Sequence, residues 1–354
     1  MGVIHTMEKL NDDEILEKVI SFEAIFESMM KCKKGVIWKD SAASFHLNGI
    51  EQSLKLSREL HDGTYKGRPP KKFMITSPKP REAVSIAFRD RVYQRSMNDN
   101  VIYPLMSQQF IFDNLACQKG KGTDKARDRL WEFLHSFYRK HGIDGYVLKC
   151  DIHGYYPNMR HDVAEGRFRE KLPPVIYRRT ETVLREQYKD EVGYNPGSQL
   201  IQIAGISVLS PLDHYIKEQL GIKYYLRYMD DFILIHESEE HLKYCQQKIS
   251  EKLQQDGFEL HPKKTHITPV SEKITFLGFE YRLTPSGKVV MTVTSETVRR
   301  KRRKLRHMVA KVKRGEMPRE KADESFRCDL EHLSKGDSHK LIQRYREYYE
   351  KLWR

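Results

Sequence analysis

Cysteine is scarce in this sequence. Cys32, Cys117, Cys150, Cys245 and Cys328 are odd in number and scattered over 354 residues. No CxxC pair or Cys/His cluster occurs, which excludes a disulfide framework and a zinc site of the usual spacing. That usage fits a reducing, cytosolic compartment. No apolar run approaches 18 residues and no secretory leader opens the chain, so the expectation is a protein that neither spans a membrane nor is exported. Internal repeats and long low-complexity linkers are missing too. Acidic residues are in deficit, 49 against 63 Lys and Arg, for a net charge of +14. A strongly basic chain usually has a polyanion as partner, with nucleic acid the first candidate, although a merely cationic surface would give the same total. What is present is a 39% hydrophobic fraction, enough to bury a large core and exclude wholesale disorder. The length implies about two domains, or one enzyme of interleaved subdomains.

Along the chain, Asn11 with Glu14 resembles a capping box, opening a helix with Ile15, Val19, Phe22, Phe26 and Met29/Met30 on one face. Residues 73–88 read as two short strands around a proline turn, followed by a helical stretch at 89–104. GYVLKCD (145–151) is an apolar strand ending in a carboxylate, and a polar helical region follows at about 161–189. Residues 223–238 read as strand, tight turn, strand. The amphipathic helix after it (238–257) turns Leu242, Cys245, Ile249 and Leu253 inward and stops at Gly257. A strand pair at 258–269 completes the order β-α-β-β-α-β, the ferredoxin-like arrangement, with one extra helix ahead of the central hairpin. A further hairpin spans 273–293, turning at Pro285-Ser286-Gly287. The last 60 residues read as helical and basic, with Arg299, Arg300, Lys301, Arg302, Arg303, Lys304 and Arg306 in one run. The final helix starts near Ser338 and carries Leu341, Tyr345, Tyr348 and Leu352 on one face.

Three carboxylates carry the chemistry. Asp230-Asp231 sits at the tip of a hairpin with apolar arms, and Asp151 ends a strand that the ferredoxin-like order makes its neighbour. Converging acids beside a core are costly unless a cation compensates them. Hard oxygen ligands without His or Cys suit Mg²⁺, and a pair of such ions supports in-line phosphoryl transfer. Taken alone, an Asp-Asp pair is equally ordinary turn chemistry.

The surrounding motifs decide between these readings by resemblance. YMDD (228–231) resembles the catalytic motif of reverse transcriptases, and LKCDIHGYYPN (148–158) resembles their first palm motif. The resemblance implies that Asp151, the Ile152 carbonyl, Asp230 and Asp231 hold two Mg²⁺ ions, with Mn²⁺ as a substitute, and that Tyr156 gates the sugar. LHPKKT (260–265) is similar to the motif whose lysine, here Lys264, protonates the leaving pyrophosphate. FLGF (276–279) resembles the primer grip, formed by Phe276, Leu277 and Gly278. SPKPREAVSIAFRDRVYQR (77–95) resembles the bacterial fingers motifs, in which Lys79 and Arg81 bind the triphosphate. Basic residues 299–306 would then neutralise the phosphates of a primer–template. The implied fold is α+β, a right hand of fingers, ferredoxin-like palm and helical basic thumb. Its divisions fall at 1–60 (N-terminal helical extension), 61–145 (fingers), 146–293 (palm, with 161–200 shared between palm and fingers) and 294–354 (thumb).

ACQKGKGTDKA (116–126) resembles the corresponding pattern of diversity-generating retroelement enzymes and their defence-associated relatives. GSQLIQ (197–202) aligns with the GNxxSQ motif of that clade through Gly197 and Gln202, which places both at the nucleotide. Ser198, Ile201 and the preceding Pro196 depart from the motif, which bears on fidelity and leaves the metal site untouched. No maturase-like extension or HNH pattern follows. The implied protein is a stand-alone, cytoplasmic, bacterial or phage-encoded polymerase using dNTPs, a DNA primer and a dedicated RNA template, with a small accessory protein as a further partner. Readings from other classes are a template-independent terminal transferase and a non-catalytic RNA-binding module.

Overall fold

The computed structural model describes residues 10–76 and 80–354, and of Arg81 the backbone. The described residues open with helices α1 (Asp12–Ile20), α2 (Phe22–Cys32), α3 (Asp40–Leu47) and α4 (Gly49–His61). The capping box is present: the Asn11 side chain accepts from the Glu14 amide and the Glu14 carboxylate accepts from the Asn11 amide, both at 2.9 Å. The single apolar face expected from Ile15 to Met30 is broken at Ser21, which ends α1 and caps α2. The break rotates the second half. Ile25, Met29 and Cys32 are buried there, while Phe22 and Phe26 stack on each other at the half-exposed flank.

An antiparallel ribbon of β1 (Lys71–Ile75) and β2 (Arg81–Ser85) follows, with the two strands falling where the sequence placed them. Helix α5 (Phe88–Met97) runs through a π-helical turn into α6 (Tyr103–Met106), and α7 (Thr123–His141) leads to β3 (Tyr146–Asp151). Four helices then precede the central hairpin: α8 (His161–Lys171), α9 (Pro174–Gln187), α10 (Gln199–Val208) and α11 (Ser210–His214). The expectation of one extra helix was too low because QLIQIAGISV is apolar around nearly its whole circumference, with only Gln199 and Gln202 on its open side. Its residues Leu200, Ile201, Ile203, Ala204 and Ile206 are all buried, so no helical period shows in the sequence.

The hairpin is β4 (Tyr224–Tyr228) and β5 (Asp231–His236), followed by α12 (Glu239–Gln255) and β6 (His266–Pro269). Leu242, Cys245, Ile249 and Leu253 of α12 are buried as predicted. The second strand expected within 258–269 reduces to an isolated bridge between Ile152 and Leu260. Three strands stand where one hairpin was expected: β7 (Ile274–Phe276), β8 (Phe279–Leu283) and β9 (Val289–Val293). Helices α13 (Ser295–Lys313), α14 (Arg319–Ser334) and α15 (His339–Trp353) close the chain.

Two compact units interleave along the sequence. The first comprises residues up to 121, 152–221 and 247–261; the second comprises 122–151, 222–246 and 262–354. The first unit is mainly helical, and Val19, Ile25, Leu56, Val92, Met97, Phe168 and Ile201 belong to its core. The second contains a four-stranded antiparallel sheet in the order β4-β5-β3-β6, which is the ferredoxin-like order. Its strands read as near-continuous apolar runs, YYLRY and DFILIH, because most of their residues are buried on both faces. Phe133 and Phe137 of α7 set their edges against Tyr224, with ring centroids 5.6 and 5.8 Å away. The meander β7-β8-β9 and the three C-terminal helices belong to the same unit. Among the described residues, no helix is long and apolar enough to cross a membrane.

Candidate active site

The pairing register of the sheet assembles the acids. Asp151, last in β3, lies directly opposite Asp231, first in β5. Tyr228 pairs with Asp231, which leaves Met229 and Asp230 as a two-residue turn. Met229 sits at φ +58°, in the left-handed region that primed hairpin turns require at this position and that side chains other than glycine disfavour. Arg227, fully buried two residues earlier, donates from its guanidinium to the Met229 carbonyl at 2.9 Å and so supports the turn from within the sheet.

Burial is the main force on the acids. It pushes the Asp231 carboxyl up to about 7, helped by the negative charges of Asp151 and Asp230 and opposed by Lys149. Asp230 is raised by burial too, with Asp151 adding to the effect. Compensation comes from two lysines. Lys264 donates to both oxygens of Asp151, at 2.8 and 2.9 Å. Lys149 lies 3.7 Å from Asp231 Oδ2 and donates to the Thr275 carbonyl of β7 at 2.6 Å.

A metal reading can be tested on these atoms. Among the described residues, no three His, Cys, Asp or Glu side chains are grouped so as to hold an ion in this arrangement. The donors nevertheless fit a hard divalent cation. The side-chain donors are all carboxylates, and Asp231 Oδ1 is buried without a hydrogen-bond partner, a costly state that a cation would relieve.

The other predicted residues fall in several places. Ile152 is buried, next to Asp151, and bridges to Leu260. Tyr155 is buried and donates to the Gly205 carbonyl, while Tyr156 is half-exposed. The two tyrosines lie in a run of turns, with rings 5.4 Å apart. A Cβ on Gly205 would stand 2.7 Å from the Tyr156 hydroxyl, so α10 needs glycine there for the ring to pack. Lys79 lies outside the described residues, and Arg81 opens β2 opposite Ile75.

Gly197 and Gln202 line a cavity of about 320 Å³ with Lys31, Arg91, Arg95 and Gln94. At Gly197 a Cβ would meet the Val84 carbonyl at 2.6 Å. Ser198, a departure from the resembled motif, caps α10 by accepting from the Ile201 amide at 3.3 Å. Lys121, from the ACQKGKGT-type segment, donates to the carbonyls of Phe112 and Asn114, both at 2.8 Å, and thus closes its own loop.

Leu277 and Gly278 form the two-residue turn between β7 and β8, both at positive φ (+47° and +84°), as a type I′ turn demands. Phe276 and Phe279 on either side are fully buried. The basic run on α13 needs a correction. Arg299, Arg300, Arg303, Lys304 and Arg306 are exposed, but Lys301 pairs with the buried Asp329 at 2.5 Å, and Arg302 lies 5.0 Å over the Tyr348 ring. Those two face inward because they share the side of the helix that carries Val298, Leu305 and Val309. Sequence reasoning missed Arg227, Lys149 and Gln94. A charge inside the apolar arm LRY was the available signal for the first; the other two had none.

Comparison with known proteins adds the family. A model described as reverse transcriptase (RNA-dependent DNA polymerase) matches residues 70–281. No curated protein matches. Among solved structures, the apo telomerase of Candida tropicalis truncated from its C-terminal domain is similar at 17% identity and TM-score 0.47, over 62% of this chain and 54% of that one. Telomerase from Candida albicans in complex with a TWJ fragment of telomeric RNA is 13% identical, with TM-score 0.47, over 64% and 46%. The apo telomerase of Candida tropicalis is 16% identical, with TM-score 0.44, over 63% and 48%. The chain therefore spans about half the length of these structures. The family match covers β1 through the first half of β8 and includes Asp151, Asp230, Asp231 and Lys264. With its ferredoxin-like sheet, mixed helix and strand, and helical C-terminus, the fold is that of a right-hand polymerase, and the chain belongs to the reverse transcriptase family.

Proposed function

We propose that this protein is an RNA-directed DNA polymerase that extends a DNA primer along an RNA template. The observation that carries the reading is the register: Asp151 and Asp231 are direct partners on adjacent strands, Asp230 occupies the turn beside them, and Lys264 sits on Asp151. Asp151, Asp230, Asp231 and the Ile152 carbonyl would hold two Mg²⁺ ions, or Mn²⁺, whose chemistry is to acidify the primer hydroxyl and offset charge on the reacting phosphates.

The chain's own groups do the rest. Lys264, held by Asp151 in this structure, is the proton donor for the departing pyrophosphate. Lys149 ties Asp231 to β7 and so fixes the carboxylate relative to the primer-grip turn at Phe276, Leu277 and Gly278. In the first unit, Lys79 and Arg81 steady the triphosphate and Tyr156 checks the sugar, both assigned from the motifs. The cavity at Gly197 and Gln202, rimmed by Lys31, Arg91 and Arg95, supports a nucleotide-contacting role for that motif. Helices α13–α15 serve as the thumb, with Arg299, Arg300, Arg303, Lys304 and Arg306 on the phosphates of the duplex. The ACQKGKGT-type segment supports a dedicated RNA template and a diversity-generating or defence setting in the bacterial or phage cytoplasm, with room for a small accessory protein.

The test is primer extension on poly(rA)/oligo(dT) and on a mixed-sequence RNA with Mg²⁺, beside an Asp230→Ala/Asp231→Ala control. Template-directed extension by the wild type alone is the expected result. Extension by the double variant would remove the site assignment, and products independent of template would make the enzyme a terminal transferase.

A further inference from the structure

The second unit carries another cleft, of about 690 Å³, which none of the polymerase motifs uses. Its floor is aromatic. Trp131 on α7 is 44% exposed, and the His135 ring lies one helical turn further on, 4.0 Å away between centroids. Two other segments form the walls: the β8–β9 turn with Lys288, and the α14–α15 connection with Lys335 and Asp337.

These walls are fixed in place. The Tyr138 hydroxyl donates to the Pro285 carbonyl at 2.9 Å, and its ring fills the space a Cβ on Gly287 would need, where the backbone is at φ +81°. Asp337 mimics a strand on the edge of β9: its carboxylate accepts from the Met291 amide at 2.9 Å, and its own amide donates to the Met291 carbonyl at 2.6 Å. A side chain on Gly336 would stand 2.8 Å from that carbonyl. The cleft is therefore preformed and needs no ordering on binding.

Its charge selects the ligand. Lys288 and Lys335 outnumber Asp337 on the rim, and Asp124, which pairs with Lys335, is shared with Arg127, so the rim is net positive. A cleft lined by an exposed tryptophan and two lysines suits a nucleobase and its phosphates, not an apolar or a basic peptide.

We propose that this cleft is a single-stranded RNA site, with one base stacked on Trp131 and its flanking phosphates on Lys288 and Lys335. The inference rests on the reading of the chain as an enzyme that handles RNA, and it adds a second contact apart from the carboxylates. It would hold the dedicated RNA while another part of that molecule is copied.

The experiment uses the full chain and a short single-stranded RNA containing 4-thiouridine, with photocrosslinks mapped by mass spectrometry and binding followed by anisotropy. The expected crosslink falls on the peptide containing Trp131. Trp131→Ala weakens binding on the order of tenfold, and Trp131→Phe, which keeps a stacking face, restores most of it. Lys288→Ala lowers the salt slope by about one. Extension of a short preformed primer–template stays at the wild-type level in all three variants. Wild-type binding by Trp131→Ala, or crosslinks confined to other peptides, overturns the site and leaves the polymerase reading intact. Trp131-dependent binding by a chain that makes no DNA supports the site while the polymerase reading fails.

Discussion

Two hairpin turns of the second unit resemble each other in form and differ in purpose. Met229-Asp230 and Leu277-Gly278 are both two-residue turns, and each places a bulky residue in the left-handed region, at φ +58° and +47°. At the second turn the next residue is glycine, both positions have positive φ, and buried Phe276 and Phe279 flank the bend. Packing offsets the strain there. At the first turn the second position is an aspartate, and the support is a hydrogen bond from a buried guanidinium, Arg227 to the Met229 carbonyl. Glycine or asparagine would suit that turn better, so the departure from local preference coincides with the residue the chemistry needs.

The comparison can be broken most severely at the acids. Asp230→Ala should bring primer extension to background while RNA binding stays within severalfold. Its melting temperature should hold or rise, because burial already opposes that carboxylate's charge. Retained extension would show that the turn is only a turn. Next in size is Arg227→Met, which leaves the Met229 carbonyl without this donor and takes away a buried cation that offsets the charge of Asp230. A stability loss of about 3 kcal/mol is expected from denaturant titration, with extension lowered about tenfold or more. Arg227→Lys should fall between it and the wild type; equal behaviour of the two variants would assign the effect to packing alone.

The second turn offers a pH test. His332 packs against Phe279 at 5.2 Å, and burial, then the cations Lys301, Arg127 and Lys335, lowers its pKa from 6.5 to about 4. The folded state thus favours the neutral ring. Its contribution is fully present above pH 6.5 and is lost as pH falls towards about 4, where the unfolded chain binds the extra proton. Thermal melts across that window should steepen this loss in the wild type and flatten in His332→Gln. The smallest effect sharpens the contrast between the turns themselves. Leu277→Asn, giving Asn-Gly, should stabilise by about 0.5–1 kcal/mol in denaturant titration, while loss of the primer-grip side chain lowers extension. Met229→Gly should change stability by less than about 1 kcal/mol and lower the extension rate, since it loosens the aspartate beside it. A faster Met229→Gly enzyme would mean that the strain has no positioning role.

Much of this was legible in the sequence, for reasons that are local. Asn11 and Glu14 signal their own cap, and Leu242, Cys245, Ile249 and Leu253 repeat at helical spacing. YMDD between apolar arms is a hairpin whichever way it pairs. The misses are cases where a second segment decides. Lys149 acquires its role from Thr275, which is 126 residues away. Ser21 splits a face that hydrophobicity alone would continue, and β7 is only three residues long, too short for a period to register. Lys301 and Arg302 read as part of a basic run, and only the stripe of Val298, Leu305 and Val309 shows that they turn inward.

The position of β3 also sets a timetable for synthesis. This strand lies inside the sheet, yet its partner β5 arrives 80 residues later, from Asp151 to Asp231, and β6 later still. At about 5–20 residues per second, a ribosome needs about 4–16 s to cross that gap. Throughout that time the apolar strand YVLKCD has neither neighbour, so it is a natural client for a chaperone. The nascent polymerase stays silent until the hairpin closes: the first acid of the site to be made is the one that waits longest for its place.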